Sequence, residues 1–330
     1  MNYFANSYVK YVDHMEQINE AAKTDPVGMV EQIESAYRRY LSSIAMTITE
    51  NPERYKIILL AGPSSSGKTT TMEILKEMLE RQGVRCATIS LDNFYRGENQ
   101  APLLESGERD YESVDALNLP VLEGCLLDLI GKGHCEIPVF DFMNRRPSSQ
   151  TLPVALPEKG VAIFEGIHGL NPRVSAHLPK DRLLKLYISV KQDIKDSAGV
   201  VLSHNDLRFV RRVVRDYSFR GTGPERTFDM WKNVLDGENK YIRPFKSVSN
   251  ITINSIHMYE PCVLRGKAIP LLRQIPPESP HYNYACWLIS QLERFVPMEE
   301  TLVPHNSILR EFVGGSVYHE EMDPLEEEYK

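Results

Sequence analysis

The chain has 330 residues, 42% of them hydrophobic and 25% charged, close to globular averages, which excludes a collagen, a wholly disordered chain and a disulfide miniprotein. That length exceeds the roughly 100–200 residues of an ordinary domain, so one large α/β domain with helical additions, or two domains, would accommodate it. With 38 Lys+Arg against 45 Asp+Glu, a net charge of −7 argues against a nucleic-acid-coating protein and confines any anion site to a local patch.

Cys86, Cys125, Cys135, Cys262 and Cys286 include no C-x-x-C pair, so neither a zinc knuckle nor a disulfide framework is expected and a reducing compartment fits. The first twenty residues lack a charged-then-apolar signal pattern, and no apolar run reaches the ~18 residues needed to cross a bilayer. The expectation is a soluble, cytoplasmic protein; whether its copies associate is left open.

Residues 1–54 are polar and helix-favouring, with Met29, Ile33, Tyr37, Leu41 and Ile44 at helical spacing, which predicts an N-terminal helical extension. YKIILLA, from Tyr55 to Ala61, is a short apolar run ending in glycine and serine, as a buried parallel strand does. Helix-period sequence follows, with Met72, Leu75 and Leu79 on one face. RCATISLD, ending at Asp92, VAIFEG, ending at Glu165, LLKLYISV and NITINS supply further strands. Strands alternating with helical stretches predict a mostly parallel sheet in a three-layer α/β/α sandwich over residues 55–255, with ligands beyond the carboxyl ends of the strands. The long polar stretch 93–158 exceeds an ordinary connection and is expected to carry substrate loops and a small hairpin. Residues 256–330 read as a C-terminal helical extension, in which Tyr284, Trp287, Leu288, Leu292 and Phe295 form a core-packing stripe and EEMDPLEEEYK a solvated acidic tail.

Gly62-Pro63-Ser64-Ser65-Ser66-Gly67-Lys68-Thr69 matches G-x-x-x-x-G-K-[ST], after an apolar strand and before a helix, where a phosphate-binding P-loop requires it. Glycines let the backbone wrap a phosphate, successive N–H groups and the helix N-terminus face the anion, and Lys68 adds a charge on the β/γ oxygens. The hydroxyl of Thr69 is suited to Mg²⁺. Asp92 is placed to accept a proton from an attacking hydroxyl, its plainer role being a turn cap. Glu165 occupies the place of a metal-associated acid, its plainer role being a loop-facing carboxylate. His168 reads as structural.

Residues 205–226 carry Arg208, Arg211, Arg212, Arg215, Arg220 and Arg226 and no lysine, with Leu207, Val210, Val214 and Tyr217 on one stripe. Planar guanidinium groups suit bidentate phosphate recognition, so a lid closing over a triphosphate is expected, against the alternatives of a solvated ion-paired helix or an RNA contact.

GPSSSGKT, LDNFY, DYESVDALN, VFDFMNRRP, FEGIHGLN, RFVRRVVRDYSFRG and MWKNVLDGENKYIRPF, in that order over roughly residues 55–255, together resemble the uridine kinase and phosphoribulokinase family of P-loop kinases. The resemblance implies ATP-dependent, Mg²⁺-assisted phosphorylation of a small-molecule hydroxyl, typically the 5′-hydroxyl of a pyrimidine ribonucleoside. By position, ATP would lie on residues 62–70, from Gly62 to Thr70, with Lys68 and Asp92 catalytic and Thr69 with Glu165 at the metal. Tyr95, Glu112, Asp115, Phe140, Arg145 and Arg208 would meet the acceptor, and Arg211, Arg212, Arg215 and Arg220 would form the phosphate-facing lid. Uridine kinases commonly show Tyr-Asp-Phe with a following histidine at the base-reading stretch. Here Phe140 and Arg145 stand in those places, offering different hydrogen-bond donors, as an anionic or differently substituted acceptor would require, the plainer role of Arg145 and Arg146 being that of loop-surface charges.

Overall fold

The computed structural model describes residues 8–97, 100–103, 107, 109–141 and 144–318; the acidic tail expected at the C-terminus lies outside them. Two helices open the chain, α1 (Met15–Thr24) and α2 (Pro26–Thr49). The second starts sharply because Pro26 sits in its first turn and the Asp25 side chain accepts from the Gly28 N–H at 2.9 Å.

Among the described residues, a five-stranded parallel sheet forms the centre. Its strands are β1 (Ile57–Ala61), β2 (Cys86–Ser90), β5 (Val161–Glu165), β6 (Leu183–Ser189) and β9 (Ile251–Asn254), in the order β2-β5-β1-β6-β9. The IILLA and VAIFE strands are buried on both faces, which is why they read as continuous apolar runs rather than alternations. Successive residues serve opposite sides. Ile58, Leu60 and Ile163 join Tyr37, Leu41 and Ile44 of α2 and Leu75 and Leu79 of α3 (Lys68–Arg81) in one core. Ile57, Leu59, Ala162 and Phe164 join Leu122, Leu126 and Leu129 of α4 (Leu119–Gly131) in another. Helices on both faces of the sheet make the expected three layers. The long 93–158 stretch holds α4 and the expected hairpin, β3 (His134–Asp141) with β4 (Arg146–Ala155).

A third core gathers elements from both ends of the chain. It joins Met15 and Ile18 of α1 to Leu207, Phe209, Val210, Val213 and Val214 of α5 (His204–Phe219), and to Val263 and Leu264 of α7 (Glu260–Leu272) and Leu288 and Leu292 of α8 (Tyr282–Leu292). A short hairpin, β7 (Ile194–Asp196) and β8 (Gly199–Leu202), leads into α5, which begins with a capping box between Ser203 and Asp206. After α6 (Pro224–Tyr241) and β9, the last helix among the described residues is α9 (Arg310–Val313). None of the described helices is long and apolar enough to cross a membrane. All five cysteines are free.

The expected stripe on the arginine-bearing helix needs correction. Tyr217 is half exposed, while Phe209 and Val213, which the stripe left out, are fully buried. The helix is enclosed by α6, α7 and α9, so apolar and charged residues alike are drawn inward and one stripe does not describe its packing.

Candidate active site

Sheet register sets the site. Glu165 pairs with Ser90 of β2 on one side and Leu60 of β1 on the other, so three strands end level and their following residues open onto one space. Beyond β1 the glycine-rich loop turns back into α3. Gly62 must be glycine, because a Cβ there would stand 2.2 Å from the Ile188 carbonyl oxygen. Gly67 caps α3 with φ of +81°, in the left-handed region. The loop thereby presents the α3 N-terminus to the space beyond the strands, and the Ser65 and Ser66 hydroxyls are buried there with no hydrogen-bond partner. Orphaned donors around a helix N-terminus fit an anionic ligand such as a phosphate chain.

Ser64, Ser65, Ser66, Gly67, Lys68 and Thr69 line a cleft of about 300 Å³. Asp92, Tyr95, Glu112, Glu165, Arg212, Arg215, Arg220, Glu238 and Glu311 face the same space. Gly62, Pro63 and Thr70 complete the loop without lining the cleft; Thr70 is fully buried.

Burial pushes the Lys68 ammonium below its ordinary range, while Glu165, Glu311 and Asp92 pull it back. Its Nζ donates to the Pro63 carbonyl at 3.1 Å. Asp92 lies one residue into a 3₁₀ turn, Leu91–Phe94, rather than on the strand itself. Burial raises its carboxyl, against the attraction of Lys68 and Arg220. Glu165 is raised to about 7, mainly by burial, with Lys68 opposing and Asp92 adding; its Oε1 accepts from the Ser90 hydroxyl at 3.1 Å. Glu165 can therefore hold a proton near neutral pH, and it shares the cleft with Lys68 and with Asp92, whose carboxyl burial also raises.

The arginines divide into two sets. Arg212, Arg215 and Arg220 line the cleft. Arg208 and Arg211, expected to meet ligand, are fully buried and do not line it. Arg211 forms a two-pronged ion pair with Glu260, its Nε 2.5 Å and Nη2 3.0 Å from the carboxylate oxygens. Arg208 pairs with Glu238 at 2.7 Å. Both brace the phosphate loop from behind, Arg208 Nε donating to the Ser64 carbonyl at 3.0 Å and Arg211 Nη1 to that of Ser65 at 3.3 Å. Asp216, buried, is the hub of the other set. It receives Arg215 at 2.8 Å and Arg212 at 3.1 Å, with Arg220 at 3.8 Å. Sequence reasoning missed Asp216, although its place four residues after Arg212 and four before Arg220 is the spacing of helical ion pairs.

Tyr95 and Glu112 form part of the cleft wall, Tyr95 donating to the Tyr111 carbonyl at 3.0 Å. Burial pushes the Glu112 carboxyl up. Asp115 does not reach the cleft; it is exposed and pairs with Arg173 at 2.8 Å. Phe140 touches the wall at second hand, its ring centroid 6.0 Å from that of Tyr95. Arg145 is exposed near the tip of the β3–β4 hairpin with φ of +50° and does not line the cleft. His168, expected to be structural, is buried with neither ring nitrogen hydrogen-bonded, and burial lowers it to about 4.

Residues 57–260 match the Phosphoribulokinase / Uridine kinase family. The chain belongs to that family. A uridine kinase from Staphylococcus haemolyticus is 32% identical over 199 residues, covering 60% of this chain and 86% of the relative. One from Lactobacillus helveticus is 28% identical over 203 residues, 61% of this chain and 87% of the relative. Among solved structures, D-glycerate 3-kinase from Cryptococcus neoformans aligns with 63% of this chain and 89% of its own at 17% identity, with a TM-score of 0.44. Phosphoribulokinase from Rhodobacter spheroides aligns with 62% of this chain and 73% of its own at 17% identity, with a TM-score of 0.41. Family membership makes this chain a small-molecule kinase, a phosphotransferase. The matched segment ends at residue 260, so α8, α9 and Glu311 lie beyond it.

Proposed function

We propose that the protein transfers the γ-phosphoryl group of ATP to a hydroxyl of a small polyol, with the 5′-hydroxyl of a nucleoside such as uridine or cytidine as the leading acceptor. The observation that carries this reading is the meeting of Lys68, Asp92, Glu165 and three arginines on one cleft. In the reaction the acceptor hydroxyl loses its proton to Asp92, its oxygen forms a bond to the γ-phosphorus, and the bond to the ADP oxygen breaks. Lys68 and the N–H groups of the loop take the charge of the β- and γ-oxygens, and Arg212, Arg215 and Arg220 face the remainder.

No group of three or more His, Cys, Asp or Glu that could hold a metal occurs among the described residues, so a protein cage for a cation is not offered. That suits Mg²⁺ held through a carboxylate, a hydroxyl and substrate phosphates, here Glu165 and Thr69. When bound, it would neutralise charge on the β- and γ-oxygens.

The carboxylates of the cleft favour a neutral hydroxyl compound over a sugar phosphate. Glu112 and Glu238 line it with Tyr95, Ile167, Val234 and Ile242; Arg208 is paired with Glu238, and Arg212, the cation that acts on Glu112, is paired with Asp216. Carboxylates accept hydroxyl protons and repel a second phosphate.

A panel of nucleosides, free sugars and sugar phosphates, with ATP and Mg²⁺ and ADP release as the readout, tests the reading. A nucleoside is expected to raise ADP release well above the acceptor-free rate, and Lys68→Ala or Asp92→Asn to lower turnover by about 10²–10⁴-fold with the fold retained. Full activity in either variant would refute the role of the residue it replaces. ATP binding with no acceptor phosphorylated would favour a regulatory ATP-binding module instead.

A further inference from the structure

A carboxylate from outside the matched family segment enters the phosphate cleft on a fixed support. Ile308 is fully buried against the loop, where a Cβ added to Gly67 would lie 3.3 Å from its Cδ1. Phe312, also fully buried, stands 5.1 Å from the Arg211 guanidinium. Lys267 Nζ donates to the Val313 carbonyl at 2.7 Å, Arg310 Nε to that of Val303 at 3.2 Å, and the Leu309 N–H to the Ser307 hydroxyl at 3.1 Å. Glu311 is thus held from both sides by packed neighbours, as a built part of a site is and a displaceable plug is not. Its Oε2 accepts from the Thr70 hydroxyl at 3.0 Å, and its Oε1 lies 3.9 Å from Arg215 Nη1. Thr70 belongs to the first turn of α3, whose N–H groups face the phosphates, and Arg215 faces the same space.

We propose that Glu311 is a positioning residue of the donor site, supplied by the C-terminal segment, which holds the first turn of α3 and the Arg215 guanidinium in the geometry that receives a triphosphate. The inference rests on the phosphotransferase reading above. Because Glu311 acts through Thr70 and Arg215, its loss is felt in donor binding rather than in the chemical step or in acceptor binding.

Calorimetric titration of Mg²⁺-ATP into the full-length protein, with steady-state ADP release alongside, tests this. Glu311→Ala is expected to weaken ATP binding about tenfold and raise the ATP KM in step, the scale of one charge-assisted hydrogen bond, with kcat and acceptor KM held within about twofold. Glu311→Gln, which keeps an oxygen for Thr70, is expected to recover most of that loss. Should Glu311→Ala melt far below the wild type, Glu311→Asp, whose shorter side chain withdraws the carboxylate from Thr70, reads the same link, and a raised ATP KM at unchanged kcat is again expected. Wild-type affinity in these variants overturns the proposal. So does tighter binding, since Glu311 would then compete with the triphosphate. Failure of the wild-type protein to bind ATP sinks the donor reading instead, and is seen before any variant is made.

Discussion

Burial sets the behaviour of Glu165, whose carboxyl rises from an ordinary 4.5 to about 7. Between those values the folded protein holds a proton that the unfolded chain has released. The group therefore contributes stability that is complete below about 4.5 and is lost as pH rises through about 7. The ligand-free protein should accordingly lose up to about 3 kcal/mol through this group across that window, a shift of one unit being worth about 1.4 kcal/mol. Glu165→Gln, which cannot ionise, should remove this component. Calorimetric melting of both proteins between pH 5 and 8 checks it: a wild-type-minus-variant difference that does not change with pH would show that Glu165 titrates normally. The sequence placed this carboxylate at a strand end, but its proton affinity follows from the enclosure that α3, β2 and the cleft wall create around it.

At the scale of the element, α5 places arginine in two environments within two turns. Arg211 and Glu260 are both fully buried, so removing one strands the other's charge away from water. Arg211→Ala is expected to cost about 3–5 kcal/mol in denaturant unfolding. Arg212→Ala, at the cleft and paired to Asp216 at 3.1 Å, should cost far less stability and show itself as a raised ATP KM. Equal destabilisation by the two substitutions would mean that the division between bracing and cleft-facing arginines is wrong. The physical reason for the division is geometric. Arginines at 208 and 211 point to the backbone of the phosphate loop and the carboxylates behind it, whereas those at 212 and 215, each four residues and so about one turn further along the helix, line the open space.

For the molecule as a whole, the described segments before and after the sheet, among them α2 and residues 308–313, are packed against it and its helices. Tyr37 of α2 is hydrogen-bonded to Thr71 of α3 at 2.7 Å, and Tyr259 bonds to Glu34 at 2.5 Å across 225 residues of sequence. Ile308, Leu309, Phe312 and Val313 are all buried, each representing about 1.5–3 kcal/mol of apolar burial. Their sum is comparable to the ~5–15 kcal/mol total stability of an ordinary protein. A chain ending at residue 299 is therefore expected to lose cooperative unfolding and phosphotransfer together, as circular dichroism melting and ADP release would read. Cooperative melting with undiminished turnover would show instead that the sheet and its helices need no C-terminal support.

The sequence by itself determined what depends on neighbours along the chain. The apolar run, glycine-rich bend and helix around Gly62–Thr69 require only local backbone geometry, and the spaced apolar strands were enough to indicate a parallel sheet with Asp92 and Glu165 at its carboxyl end. Tertiary structure alone decided which arginines face the cleft, because helical periodicity identifies a face without saying what will cover it, and every side of α5 except its exposed end is covered. It also decided the place of Glu311, which meets Thr70 across 241 residues and belongs to no local pattern. Of the two residues whose chemistry drew attention to acceptor recognition, Phe140 reaches the cleft only through Tyr95 and Arg145 is exposed near the tip of the hairpin. Local sequence constrains dihedrals and hydrophobic period, whereas the partner of a charge is settled only when distant segments pack and water is excluded from between them.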